Sequence, residues 1–270
     1  MMLLSFLIIT IPFVLTQIII IRIKSYIMMT IFIIFYIISV IFIIKGGCTD
    51  PGIIPRQNDG SGGGIFRKKK DFIMVSNGAF VKYTYCCTCN TFRPPRTSHC
   101  ASCDNCCMRF DHHCLWLGNC IGKRNYKYFY LLITTLNIKG IIEFIYNLCI
   151  LIQSVKDKEE EKIKLRILTI SMLSAACFFD LMYTLFFLGK LQIVHTKLLI
   201  QNFTFYEDFK KRLKNAANIN PYYKNVRQHI YRLIFKFTAK SLLNGPIKRL
   251  TNFKNDITVN KLSKDYTKKK

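Results

Sequence analysis

Acidic residues are scarce in this chain of 270: 15 Asp and Glu stand against 40 Lys and Arg, a formal net charge of +25. A surplus of that size asks for a polyanionic partner, and nucleic acid and anionic lipid are the two classes to separate. Nucleic acid is set aside because apolar residues, 51% of the chain, are segregated from the basic ones. They fall in blocks near the N-terminus and in the middle, while basic residues crowd the segment after Lys45 and the tail after His195. That is the pattern of a multi-span membrane protein whose basic faces meet anionic lipid. The first apolar block also lacks a charged n-region and a small-residue cleavage site, and a second block follows at once. A helical hairpin is therefore expected instead of a cleaved leader. The tail lacks any long apolar run. Tryptophan occurs once, at Trp116, and the N-glycosylation sequon occurs once, at Asn202-Phe203-Thr204, where a glycan would contradict a cytosolic tail.

Residues 2–21 and 26–44, about 128–153 and about 167–189 each approach the ~20 residues that an α-helix needs to cross the hydrocarbon core. Only Arg22, Ile23, Lys24 and Ser25 separate the first two. Positive charge sets the expected orientation. Residues 46–127 carry 12 Lys or Arg and residues 195–270 carry 18, whereas the loop 154–166 sets five basic residues against four acidic ones. Both termini and the segment between the second and third runs are expected in the cytosol, with Arg22 and Lys24 on the other side. Charges also lie inside the later runs: Lys139 and Glu143 share a helical face, and Asp180 falls at a depth comparable to Lys139. An ion pair between Lys139 and Asp180 is expected to fix the packing of these helices. The short spans favour a thinner endomembrane, ER or Golgi, over the plasma membrane.

The segment 46–85 reads as a cytosolic linker. Asp50-Pro51-Gly52 is a turn at the membrane surface, residues 57–70 are flexible and basic, and Phe72–Val75 with Ala79–Tyr83 flank Ser76-Asn77-Gly78 as a short hairpin. The unit 86–127 is cysteine-rich, residues 128–190 hold the last two spans, and 191–270 form the basic tail. In that tail Ile230, Leu233, Ile234 and Phe237 repeat at helical spacing, and Lys268-Lys269-Lys270 close a stretch attracted to lipid.

Nine of the twelve cysteines and three of the five histidines lie between Cys86 and Cys120. Packed C-x-x-C pairs interleaved with histidine read as metal ligands in a reducing compartment, which a secreted disulfide framework does not resemble. The donors run Cys86, Cys89, His99, Cys100, Cys103, Cys106, His112, His113, Cys114 and Cys120. Eight donors close two tetrahedral zinc sites, and staples of that kind suit a unit with few core-forming residues. A thiol remains over, and a thiol beside a histidine and a carboxylate is a nucleophile candidate. A RING module would spread its ligands over a longer segment, and a DNA-reading finger would need a base-reading helix, which is missing.

The run CCTCNTFRPPRTSHCASCDNCCMRFDHHCLWLGNCIGKRN closely resembles the catalytic cysteine-rich domain of the DHHC protein S-acyltransferases, the palmitoyltransferases. Asp50-Pro51-Gly52 resembles the DPG motif of that family and Thr204-Phe205-Tyr206-Glu207 its TTxE motif, with Phe205 at the second threonine. Leu115 stands where proline is usual. In the segment Asn220-Pro221-Tyr222, which resembles the C-terminal motif, Asn225 replaces a glycine and His229 an asparagine.

The resemblance implies an α-helical multi-pass membrane protein, with four transmembrane helices and a cytosolic two-zinc domain between helices 2 and 3. It implies one zinc on Cys86, Cys89, His99 and Cys106 and a second on Cys100, Cys103, His113 and Cys120, with Cys87 and Cys107 as extra thiols. Cys114 is then the nucleophile, His112 its general base and Asp111 the group that orients the base. The implied donor is a fatty acyl-CoA such as palmitoyl-CoA, and the acceptors are cytosolic-face proteins with an accessible cysteine. Trp116 suits the membrane boundary, as an anchor or in the wall of an acyl cavity. Arg93 and Arg96 are candidates for the CoA phosphates. A membrane-anchored zinc scaffold, or an acyl-binding protein disabled by Leu115, is the reading from another class.

Overall fold

The computed structural model describes residues 25–56, 72–76, 79–156 and 163–214, together with helical positions between Leu3 and Gln17 of the first apolar run. The linker 57–70, the turn residues Asn77 and Gly78, and the tail from residue 215, with its Asn220-Pro221-Tyr222 segment, His229 and the Ile230 to Phe237 repeat, lie outside the described residues.

Three helices among the described residues are long and apolar enough to cross a membrane: Tyr26–Cys48, Tyr126–Val155 and Ile170–Gln201. The first, α1 (Tyr26–Cys48), carries no charge before Lys45 and buries only Phe32, Ser39, Ile43 and Gly46, so most of its surface is left for lipid. It stops ahead of Pro51, and Asp50 shapes the exit. The Asp50 Oδ1 accepts the N–H groups of Gly52 (2.8 Å) and Ile53 (2.9 Å), and its other oxygen pairs with Arg124. Gly52 adopts φ +109°, which a side chain would resist.

The chain then enters a unit of short antiparallel strands. Strand β1 (Ile53–Ile54) pairs with β6 (Asn105–Cys107), which pairs with β5 (Ser98–Cys100). Strands β2 (Phe72–Ser76), β3 (Ala79–Cys86) and β4 (Thr91–Arg93) form a second sheet, and β7 (His112–Cys114) with β8 (Asn119–Ile121) a third. The hairpin expected around residue 77 is present, with Ser76 opposite Ala79. Two asparagines bind this unit to the end of α1. The Asn119 amide donates to the carbonyls of Gly47 (2.9 Å) and Thr49 (3.0 Å). Asn125, fully buried, donates to those of Gly46 (3.0 Å) and Cys120 (2.8 Å).

Helix α2 (Tyr126–Lys156) exceeds the expected third run at both ends. The fourth run was expected to end near Gly189, yet α3 (Ile163–Leu181), a π-helical segment (Met182–Gly189) and α4 (Lys190–Gln201) follow without a break. Gly189 keeps right-handed helical angles (φ −64°, ψ −44°), and the helix stops only where Asn202 turns left-handed at φ 55°. The last turns of α4 are retained because His195, Leu198 and Leu199 find a buried face.

The polar residues inside the spans pair differently from expectation. Lys139 meets Glu143 one turn along its own helix, Glu143 accepts the Thr16 hydroxyl (2.6 Å), and Asp180 accepts the Asn147 amide (2.9 Å). An acid four residues away on the same helix lies nearer to the lysine than one on another helix. Close approach of α2 to the π-helical segment depends on Gly140, since a Cβ there would overlap the Thr184 hydroxyl.

Candidate functional site

The two proposed metal sets are built alike. Cys86 ends β3, Cys89 lies in the turn after it, and β5 and β6 place His99 directly opposite Cys106. Fourteen residues further on the plan repeats: Cys100 ends β5, Cys103 lies in the next turn, and β7 and β8 place His113 opposite Cys120. Within each set the donor atoms all lie within 4.8 Å of one another. The Nδ1 of His99 is 3.4 to 3.9 Å from its three sulfurs, and that of His113 is 3.3 to 3.8 Å from its own. A tetrahedral zinc with Zn–S ~2.3 Å and Zn–N ~2.0 Å sets these edges at about 3.5 Å, so both sets fit the ion. The Nε2 of His99 faces outward, 3.6 Å from an Asp104 oxygen, as the free nitrogen of a metal-binding imidazole commonly does.

Strand alternation separates the two neighbouring histidines. Successive side chains of β7 point to opposite faces, so His113 turns to the metal set while His112 and Cys114 share the other face. Asp111, 1% exposed, places its Oδ2 2.8 Å from the Nδ1 of His112. Its Oδ1 accepts the backbone N–H of Phe205 at 2.8 Å. Burial disfavours the imidazolium, but the hydrogen bonds to the Asp111 carboxylate and the Cys114 sulfur outweigh it and push His112 up to about 9. That ring is enclosed by Phe129 (centroids 5.0 Å), His195 (6.0 Å) and Phe205 (6.5 Å). His195 in turn is 2% exposed and meets the Tyr126 hydroxyl at 3.3 Å. Nothing in the sequence pattern marks His195, because it lies beyond the fourth apolar run and far from the cysteines.

Cys114 is 5% exposed and packs in one cluster with Ile43 of α1, Tyr126, Phe129 and Ile133 of α2, and Leu199 of α4. The thiol therefore sits where the strand unit meets the membrane helices. Leu115 and Trp116, 60% and 46% exposed, occupy the turn that follows, which Gly118 closes by donating to the Leu115 carbonyl (3.2 Å). Of the extra thiols, Cys87 is exposed. Cys107 is buried against Gly122 and donates toward the Pro51 (3.7 Å) and Met108 (3.6 Å) carbonyls, and burial pushes its thiol up to about 12. It is a packing residue.

The two candidate arginines have different surroundings. The guanidinium of Arg96 is turned to Glu207 (Nε to Oε1 2.7 Å, Nη2 to Oε2 2.7 Å) and to Asn202 (Nη2 to O 2.8 Å, Nη1 to Oδ1 3.1 Å). These bonds occupy most of its donors. Arg93 ends β4, beside Cys86 and Tyr206, with its Nε buried.

Residues 79–212 match the family model described as DHHC palmitoyltransferase. The chain is 36% identical to palmitoyltransferase ZDHHC18-A of Danio rerio over 222 residues, 71% of this chain and 44% of that protein. It is 36% identical to palmitoyltransferase ZDHHC18 of Homo sapiens over 206 residues (70% and 51%), and 35% identical to palmitoyltransferase ZDHHC9 of Homo sapiens over 204 (69% and 55%). It spans about half the length of these curated relatives. Spanning helices, two Cys/His sets able to hold zinc, and a matched domain across both lead to one assignment: the chain belongs to the DHHC palmitoyltransferase family.

Proposed function

We propose that the chain is a protein S-acyltransferase that moves a fatty acyl group from acyl-CoA, through a Cys114 thioester, to cysteines of proteins at the cytosolic face. The observation that carries this reading is the sharing of one strand face by Cys114 and His112, with Asp111 behind the imidazole and His113 turned away. A thiol paired with an oriented base is the arrangement that covalent acyl transfer needs. Cys86, Cys89, His99 and Cys106 would hold one zinc, and Cys100, Cys103, His113 and Cys120 the other. When bound, these ions supply structural cross-links between strands too short to hold one another.

In the first step His112 takes the Cys114 proton, and the thiolate attacks the thioester carbonyl. The new C–S bond forms as the bond to CoA breaks, and the imidazolium returns its proton to the departing CoA thiolate. In the second step His112 takes the proton of a substrate cysteine, that thiolate attacks the Cys114 thioester, and Cys114 leaves and recovers the proton. Asp111 holds Nδ1–H, so the other nitrogen faces the sulfur in both steps.

The apolar cluster around Cys114 supports an acyl chain lodged among α1, α2 and α4, each buried methylene contributing ~0.8 kcal/mol. Trp116, at the exposed turn beside the thiol, is the candidate for the mouth of that site, and Arg93 remains a candidate for a CoA phosphate. We place four spans in the membrane, counting residues 2–21, with both termini and the strand unit cytosolic. ER or Golgi is the favoured membrane, and anionic lipid the partner of the basic surfaces. Purified protein given clickable palmitoyl-CoA is expected to become labelled through a hydroxylamine-sensitive bond. Cys114→Ser should abolish labelling and keep two zinc ions per chain. Zinc-loaded wild-type protein that takes no label would favour the scaffold reading.

A further inference from the structure

Between α4 and a final described helix, α5 (Phe205–Lys214), the chain makes a tight connection. The N–H groups of Asn202 and Phe203 close α4 on the carbonyls of Leu199 (3.2 Å) and Leu198 (3.0 Å). Thr204 and Glu207 then open α5 as a reciprocal cap: the Thr204 hydroxyl accepts the Glu207 N–H (3.2 Å), and the Glu207 carboxylate accepts the Thr204 N–H (2.9 Å). The first-turn N–H of a helix has no partner within the helix, and that of Phe205 is directed to the Oδ1 of Asp111. The carboxylate that orients His112 is thus held by a helix end 94 residues further along the chain.

Arg96 grips both ends of this contact. Its side chain, 11% exposed, forks onto Glu207 and reaches Asn202, while its carbonyl accepts the N–H of Phe110 (3.1 Å), the residue before Asp111. Its backbone lies in the left-handed region at φ 65°, a conformation that a residue with a side chain holds only when its surroundings enforce it. Arg109, also left-handed (φ 49°), adds a bond to the Asn202 side chain (3.1 Å).

We propose that Arg96 is a positioning residue for acyl transfer: by clamping Glu207 and Asn202 it sets the Phe205 N–H against Asp111, and so sets the orientation of His112. The inference rests on the acyltransferase reading above. It differs from a phosphate contact in what it touches, because the same guanidinium would serve the chemical step and not the affinity for acyl-CoA.

The test uses full-length protein in detergent or nanodiscs, with zinc content measured for every variant. Arg96→Gln and Glu207→Gln are each expected to lower kcat for thioester formation on the order of 10- to 100-fold, the scale of a misaligned catalytic group. KM for palmitoyl-CoA should stay unchanged, and the double variant should be no slower than either single one. Arg96→Lys, which keeps the charge and loses the fork, should fall between. The exchange Arg96→Glu with Glu207→Arg should recover part of the loss. A raised KM in Arg96→Gln with Glu207→Gln at wild-type rate would overturn the proposal in favour of a CoA contact, and so would additive losses. Should Arg96→Gln lose zinc, Glu207→Gln carries the test, since it lies outside the strand unit. Absence of labelling in wild-type protein would sink the acyltransferase reading itself, a result distinct from either.

Discussion

Asp111 and His112 are neighbours in sequence whose side chains meet at 2.8 Å, yet the carboxylate is also held from the far side by the backbone of Phe205. An amide at position 111 could serve only one of these partners. Its oxygen would accept from Phe205, leaving its NH₂ to face Nδ1 and impose the wrong tautomer on the imidazole. Asp111→Asn is therefore expected to keep both zinc ions and lower single-turnover thioester formation by about 10³- to 10⁴-fold. Thioester formation timed by quench after mixing with palmitoyl-CoA checks it.

Chelation should act through the fold. The strands that carry His99, Cys106, His113 and Cys120 are three residues long, so cross-strand pairing alone cannot hold the unit. Treating the protein with a strong chelator is expected to release two zinc ions per chain, lower the Tm and end labelling. His99→Ala should retain one ion and reduce Tm, although it lies away from Cys114. Unchanged Tm after full release would contradict a structural role.

Within the membrane the sensitive partner of Lys139 is Glu143. Glu143→Leu leaves the lysine unpaired among helices, at a cost of about 2.5 to 3.5 kcal/mol on insertion scales. It is expected to lower the amount of folded protein more than Asp180→Leu does. Adding Lys139→Leu should restore much of the loss. Size-exclusion yield of a fluorescent fusion measures all three.

These outcomes divide along a line that also marks what could be read from residues alone. The two Cys/His groupings were legible, because closely spaced ligands are a local property of the chain and carry the resemblance that sorted the donors into two sets. Three spans were legible for the same reason, although a glycine at 189 gave no warning that the last helix continues to Gln201: burial of Leu198, and of Leu199 in one cluster with Cys114, Leu117 and Ile121, overrides it. Partnerships across long sequence separation were not legible. Arg96 carries the same charge whether it faces a phosphate or Glu207, and only the folded chain brings Asn202 and Glu207 to it. The same holds for Lys139, for which depth pointed to Asp180 and the folded chain gives Glu143, and for His195.

The fourteen-residue offset between the metal sets reaches one step further than the metals do. Cys86 faces Thr91 and Cys100 faces Asn105 across the turns that carry their second ligands, and Cys114 faces Asn119 in the same way. The left-handed residues Asn90 and Asp104 close the first two turns, and Gly118 occupies the matching place in the third. Cys114 is thus the opening cysteine of a third knuckle whose second ligand position holds Leu117, 3% exposed and packed in the apolar cluster. The proposed nucleophile opens a knuckle that lacks the other donors of a metal set, since the same offset places Leu117, Lys127 and Thr134 where the metal sets have Cys, His and Cys. Leu117→Cys would complete the C-x-x-C pair. It is expected to quench labelling and to add either a metal-binding thiol pair or, on oxidation, a disulfide, which thiol counting in the presence and absence of reductant would reveal.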